Sequence, residues 1–575
     1  MKQLITLSTL VLALNGFSQI EKFIPKKEKI VTYWDKDSTT MRSEGYINTS
    51  SFSGVGNKEG VWTFWYKNGK KEEVANYSKG LLNGRVTKYY DNEKVQFDGY
   101  FKDNLQDSIF YSFYQNGNKA EEGHFTQGKP SGKWSYWYEN ASKMMESEYK
   151  NNDSIEYLIN YWNEQGEQTI NNGNGKLLSK FSTDNPKEEY LYSNGLKNGA
   201  FTEWNPSGEI KVKGEYLNGK KHGSWIIYFF TKNQIYQQTN YIEDKKDGQF
   251  TQYYSDGKVA IKGIYKEGKE SGQWEWFYDD GKTDVLGNFE NGEENGEWKS
   301  WYPNGKLSYQ GYFKDGLKSG LWTFYDEKGL KLKEGEYLED KRNGVWSTWL
   351  ENGKLSSQGT FKNDLQEGTW KAWYESGQLK DDGEFSAGIQ HGAWKGYWPD
   401  GKNQYEGQYE NNLKTGTWTY WFSNGNLSET GSYIIVDKKG MIMSAKESLK
   451  NGTWISYSLL DGKKTHEESY KNGIKHGVFK YYYPGGMLIA NEQTFKDGML
   501  NGRSATYGRK GKIESEIHYK DNGKHGDFKL YKDNGKLSVH HVYENGIKVK
   551  DVLNDVDYKK QAKENQKKKQ SSKVK

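Results

Sequence analysis

The sequence contains no cysteine. That absence removes a disulfide framework, a thiol nucleophile and every cysteine-ligated zinc or iron–sulfur site. Proline occurs only seven times in 575 residues, and 33% of residues are hydrophobic, which is thin for the several packed cores this length would ordinarily imply. Past residue 14 no run is apolar enough to cross a membrane as a helix. An excess of one charge is missing too. The formal net charge is +5, but residues 558–575 hold eight Lys and one Glu, and setting aside that tail and Lys2 leaves −3 for the body. A surface so close to neutrality does not indicate a nucleic-acid groove, which needs clustered Lys and Arg on the fold.

What the chain has instead is rings. Trp, Tyr and Phe make up 16% of it, with 22 Trp, 45 Tyr and 24 Phe. Disordered chains avoid such residues, so the low mean hydropathy does not signal disorder here. The N-terminus carries Lys2, an apolar stretch from Leu4 to Leu14 and a small-x-small site at Gly16-Phe17-Ser18. Residues 1–18 therefore read as a secretory signal peptide, and the expectation is export to the periplasm, the cell surface or the medium, with no transmembrane segment in the mature chain. No cysteine follows the apolar stretch to carry a lipid anchor.

The organisation of the rest is a repeat. Gly272, Gly296, Gly320, Gly344, Gly368, Gly392 and Gly416 stand 24 residues apart, and each is followed two residues later by a tryptophan: Trp274, Trp298, Trp322, Trp346, Trp370, Trp394 and Trp418. The frame extends upstream to Gly60 and downstream to Gly526, giving about nineteen copies. It slips twice, with 43 residues between Glu156 and Gly199 and 36 between Gly416 and Gly452. These spacings divide the chain into a cap and partial repeat over 19–59, an array with degenerate copies and an insertion over 60–198, and a regular array over 199–432. An insertion over 433–451, C-terminal repeats over 452–548 and a Lys-rich tail over 549–575, disordered or a short helix, complete it.

Within one copy, two short aromatic runs are separated by "PNGK" and "KDGLKSG". Asn-Gly and Asp-Gly between such runs are hairpin signals, because tight turns need the positive φ that Gly, Asn and Asp tolerate. Residues in the slot of Gly316 in other copies are Gly292, Gly388, Asp340, Asp364 and Asn412, all tolerant of positive φ. The expected fold is all-β: an elongated, single-layer, solenoid-like ribbon of stacked 24-residue β-hairpins. If Asn304 and Gly305 form a two-residue loop, Trp298 falls opposite Gly311, Trp322 opposite Gly335, Trp346 opposite Gly359 and Trp370 opposite Gly383. Each indole then lies over a partner strand that lacks a side chain. A second aromatic row, with Trp301, Trp349, Trp373 and Trp421, stands three residues after the first.

Catalytic and metal-binding patterns are absent. "GIYKEGKE" at 263–270 and "GEYLNGKK" at 214–221 resemble a phosphate-binding loop but lack its final Ser or Thr and precede no helix. "HEESY" from residue 466 lacks the second histidine of a zinc protease. His540 and His541 are adjacent on one strand and point to opposite faces. His222, His391, His476 and His525 each precede a repeat glycine, as Asn83, Asn198, Asn295, Ser319 and Asn343 do elsewhere, which marks them as turn residues. No enzyme activity, cofactor or metal is expected.

The pattern EGxYKDGKxxGxWxxWYxNGK, seen in "KEGEYLEDKRNGVWSTWLENGK" at 333–354, resembles the MORN-variant repeat of bacterial proteins grouped as YwqK-family antitoxins, and the resemblance runs from residue 46 to 548. It implies a repeat fold used for binding and scaffolding. The expectation is thus an exported, non-enzymatic interaction scaffold for a protein partner. The alternatives are a glycan- or lipid-binding surface, with the aromatic rows stacking on sugar or settling into lipid, and an antitoxin-like neutralising partner.

Overall fold

The computed structural model describes residues 27–49, 56–150, 155–230, 233–439 and 444–571. The signal peptide expected over 1–18 lies outside these. The chain divides into two compact units, residues 1–259 with 265–268, and residues 260–264 with 269–575. In the first, strands from Lys27–Tyr33 to Lys245–Tyr253 each pair antiparallel with the strand before and the strand after. The second repeats this from Lys269–Phe277 to Ile547–Asp551, followed by Val556–Asp557 and a helix over Tyr558–Ser571. Each unit is an open, single-layer meander of stacked hairpins, the all-β repeat ribbon that the 24-residue period predicts.

The two turns of each repeat differ. At the Asp-Gly end, Lys314 pairs with Leu317 across a two-residue loop in which Asp315 and Gly316 have φ of 51° and 76°, the type I′ geometry whose twist matches that of the strands. Residues that replace Gly in the second position form an added bond: the carboxylate of Asp340 accepts from Lys318 N at 2.8 Å, and the Asn412 side chain accepts from Gln390 N at 2.7 Å. At the Asn-Gly end the loop has three residues, not two. Tyr302 N donates to Lys306 O and Gly305 N to Tyr302 O, so Pro303, Asn304 and Gly305 form the loop. A register shift between Ser300 and Trp301 then absorbs one residue on the opposite strand, and Trp298 still pairs with Gly311. The same holds for Trp322 with Gly335, Trp346 with Gly359 and Trp370 with Gly383.

The indole, however, does not lie over the glycine it is paired with. It lies over the glycine of the preceding strand. A β-carbon on Gly311 would stand 2.1 Å from Trp322 Cδ2, and one on Gly287 2.3 Å from Trp298 Cε2. The cause is a bulge that sets three residues against one. Gln310 pairs with Thr323 and Tyr312 with Ser319, so Gly311 alone faces Gly320, Leu321 and Trp322. Gly320 turns the bulge with φ of 66°, and the ring folds back across the bare backbone. Its Nε1–H then donates to the next carbonyl: Trp322 to Tyr312 O at 3.0 Å, Trp346 to Glu336 O at 2.9 Å, Trp418 to Gln408 O at 3.1 Å.

The two irregular stretches of the sequence are also local. The 43-residue interval holds an extra short hairpin, Gln168–Asn171 with Asn174–Lys180; its turn residue Gly173 donates to Ile159 O of the strand Glu156–Trp162, and Gly195, in the turn after Pro186–Ser193, accepts from Leu158 N of the same strand. In the 36-residue interval, Leu427–Lys439 and Ser444–Tyr457 pair as one long hairpin.

Candidate interaction surfaces

One face of the sheet is the aromatic ladder. Trp274, Trp298, Trp322, Trp346, Trp394 and Trp418 retain between 1% and 6% of their surface, and Trp370 is half-buried. Successive rings meet edge to face: Phe313 stands 5.1 Å from Trp322 at 86°, and Tyr409 stands 5.0 Å from Trp418 at 83°. Over the ladder runs a row that sequence reasoning passed over. Lys318 Nζ sits 4.9 Å from the Trp322 ring and 5.4 Å from Tyr337. Lys414, Lys450 and Lys221 sit 4.4, 3.9 and 4.2 Å above Trp418, Trp454 and Trp225. The ammonium groups face the ring quadrupoles and the stems cover apolar surface. Burial against the rings lowers the pKa of Lys58, Lys197 and Lys414. The signal was in the sequence, since a Lys recurs two residues before many of the repeat glycines. Sealed by lysine stems, the first tryptophan row is a core.

The other face is open. Trp301, Trp349, Trp373 and Trp421 stand an odd number of residues from the first row, hence on the opposite side, where they are half-buried. Lys331 lies 5.5 Å from the Trp349 ring and pairs with Glu334 at 2.6 Å. Lys262 with Glu275 at 2.7 Å and Arg85 with Asp98 at 2.8 Å continue the alternation of signs, which keeps this side near neutral. Among these pairs aliphatic and aromatic side chains stand in water: Tyr312 at 50% exposure, Leu321 at 51%, Leu338 at 51%, Val345 at 55% and Leu365 at 50%. Isolated exposed apolar residues are ordinary; here five fall within three successive repeats.

The remaining candidates resolve into structure. Residues 214–221 are two strand ends joined by the Asn218–Gly219 turn, with no helix following. His540 bonds Asp527 at 2.9 Å, and His541 faces Asp551 at 3.4 Å on the other side of the strand. Among the described residues no three His, Asp or Glu are placed to hold a metal ion, and no helix is long and apolar enough to cross a membrane.

The recurrence of one hairpin with fixed Gly and aromatic positions is what a family comparison recognises. Eleven stretches match the MORN repeat variant: 58–79, 82–103, 197–218, 246–267, 270–291, 294–315, 342–363, 366–386, 390–411, 414–434 and 475–497. The protein is a MORN-repeat protein. No curated protein matches the chain. Among solved structures, the MORN array is similar to the TcdB2-TccC3-Cdc42 complex, to TcdB2-TccC3 without its hypervariable C-terminal region and to the Photorhabdus luminescens Tc holotoxin pore. Identities are 8, 8 and 10%, and TM-scores 0.12, 0.12 and 0.11, over 90, 90 and 88% of this chain. The chain spans about a third of the length of those chains, at 31, 30 and 32%. Likeness at that level carries no weight for function.

Proposed function

We propose that this MORN-repeat protein is an exported, non-enzymatic scaffold that holds a protein partner on the open face of its repeats. The observation that carries the reading is the contrast between the faces. One is closed by indole, glycine and lysine; the other leaves Tyr312, Leu321, Leu338, Val345 and Leu365 in water between self-neutralising ion pairs. An apolar centre with a polar, charge-balanced rim has the anatomy of a protein interface. Crosslinking in the native cell, with Leu321→Glu/Val345→Glu as control, tests it. Captured protein should fall at least tenfold in the variant while thermal stability stays within a few degrees; equal capture by both chains refutes the open face.

A second reading rests on the half-buried indoles Trp301, Trp349, Trp373 and Trp421, whose 24-residue recurrence on the open face suits stacking on a repeating sugar. Co-sedimentation with cell-wall polysaccharide, and flotation with liposomes for the lipid alternative, separate it from the first. The antitoxin role that the YwqK-type resemblance implies gains no support from the geometry of either face.

A further inference from the structure

The ladder is interrupted over residues 81–104 and again over residues 499–522, where Leu500 and Ser504 take the same slots; at the first an open groove adjoins the gap. Over residues 81–104 two slots depart together from the repeat: the clasping tryptophan is Val86 and the lysine that covers it elsewhere is Leu82, while the variable slot two residues on, Phe324 or Tyr136 in some copies and Ser300, Thr348 or Ala372 in others, is Lys88. Register fixes these equivalences: Tyr77 pairs with Leu82 as Phe313 does with Lys318, and Phe97 with Lys88 as Lys333 does with Phe324. Ala75 and Val86 close the space against the backbone, at 0% and 1% exposure. Outside them lies an open groove of about 720 Å³ lined by Leu82, Val86, Lys88, Phe97, Phe101 and Tyr114, within the size of ligand-binding clefts. Phe97 stands 5.3 Å from Phe110 and 6.0 Å from Phe101, so clustered aromatic rings form part of its wall.

We infer that this groove receives a tryptophan side chain from a partner polypeptide, which seats outside Val86 in the space left where this repeat lacks its own indole. The proposal deepens the scaffold reading and rests on it. The occupant follows from the chain's own usage. In the other clasps a ring stands between aromatic edges with an ammonium group over its face, as Lys318 stands over Trp322. Here Phe101, in the slot of Tyr337, lines the groove, and Lys88, also in the lining, pairs with Glu73 at 3.2 Å. What the site lacks is an electron-rich ring, and indole is the best partner for an ammonium group among side chains. Backbone on the open side of the groove is accommodated because the sheet has no second layer there.

Binding of N-acetyl-5-fluorotryptophanamide to the full chain, followed by fluorine NMR, tests the proposal, with 5-fluoroindole as a second probe. The amide should saturate the protein. Its affinity should fall at least tenfold in Ala75→Gly/Val86→Trp, which rebuilds the regular clasp, and several-fold in Lys88→Gln, which removes the ammonium group that the groove offers to a ring. Circular dichroism confirms that each variant is folded, and either variant alone suffices. Failure of the amide to saturate, or equal affinity in wild type and the folded variants, overturns the proposal. Binding of 5-fluoroindole without the amide overturns the polypeptide occupant and leaves a small-molecule site. If Ala75→Gly/Val86→Trp still captures partner in cells while Leu321→Glu/Val345→Glu does not, the groove falls and the scaffold stands; loss of capture in neither sinks both.

Discussion

Gly311 and Gly320 are glycines for different reasons. Gly311 has an ordinary extended backbone, and its requirement is space, since an added methyl would enter the Trp322 ring at 2.1 Å. Gly320 has open space around it and a φ of 66° that side chains resist. The chain records the first requirement in its own substitutions. Where a side chain occupies the Gly311 slot, the clasping residue on the next strand is smaller than Trp: Ala75 with Val86, Ser147 with Leu158, Tyr190 with Phe201, Thr239 with Phe250 and Gln493 with Ser504. Gly311→Ala should therefore cost about 2 kcal/mol and Trp322→Val about 3 kcal/mol, but the double variant distinctly less than their sum. Hydrogen exchange of the amides of Leu317–Tyr325 reads this local stability, and strict additivity would refute the clasp. Pairing of Trp with Gly was legible in the sequence. Its direction was not, because register arithmetic places Cα atoms and says nothing of where a bulge aims a ring; the co-varying pairs were the signal that held the answer.

Tyrosines at the same scale set an alkaline limit. Burial first, with nearby carboxylates second, pushes Tyr192, Tyr278 and Tyr482 up to about 12. In the unfolded chain they titrate near 10, so the folded state holds its protons longer. The stability they contribute is whole below about pH 10 and is lost as pH rises through about 12. Tyrosinate absorbance and loss of sheet signal should therefore rise together in that window; tyrosinate forming fully while the sheet persists would count against their burial.

At the scale of the element, the hairpin is fastened to its successor outside the strand ladder. The Tyr302 hydroxyl donates to Tyr325 O at 2.8 Å and the Asn304 amide to Glu327 O at 2.7 Å; Tyr278 and Tyr374 repeat the first bond to Trp301 and Tyr397. These bonds fix the phase between neighbours, so removing one whole period should be tolerated where removing part of one is not. Deleting residues 320–343 joins Ser319 to Gly344 and keeps every slot. That variant should fold with a sheet spectrum like the parent's, whereas deletion of 320–331 should aggregate; equal behaviour would show that phase does not matter. The type I′ turns were readable because Gly, Asn and Asp announce positive φ. The Asn-Gly loop was misjudged by one residue because a compensating bulge beside Trp301 leaves the distant register unchanged, so no pattern of apolar residues betrays it.

For the whole molecule, contact within each unit is between sequence neighbours, so stability is a sum of hairpins and of the interfaces between them. Hydrogen exchange should grade along each unit, slowest in the regular repeats around Trp322 and Trp418 and faster around Val86 and Ser504, where the clasp is reduced. Uniform protection across these positions would contradict the additive picture. The repeat fold was plain in the sequence because one hairpin is written many times. The open face was not, since Leu321 and Val345 occupy slots where other copies carry Glu297, Thr369 or Thr417, and periodicity averages such differences away.

Because each indole of the clasping row reaches backward, onto backbone already laid down, a newly made hairpin carries the latch for the one before it, and that latch needs nothing that follows. Synthesis from the amino end thus delivers parts in the order in which they can be locked, and a chain halted midway leaves only its last hairpin unfastened.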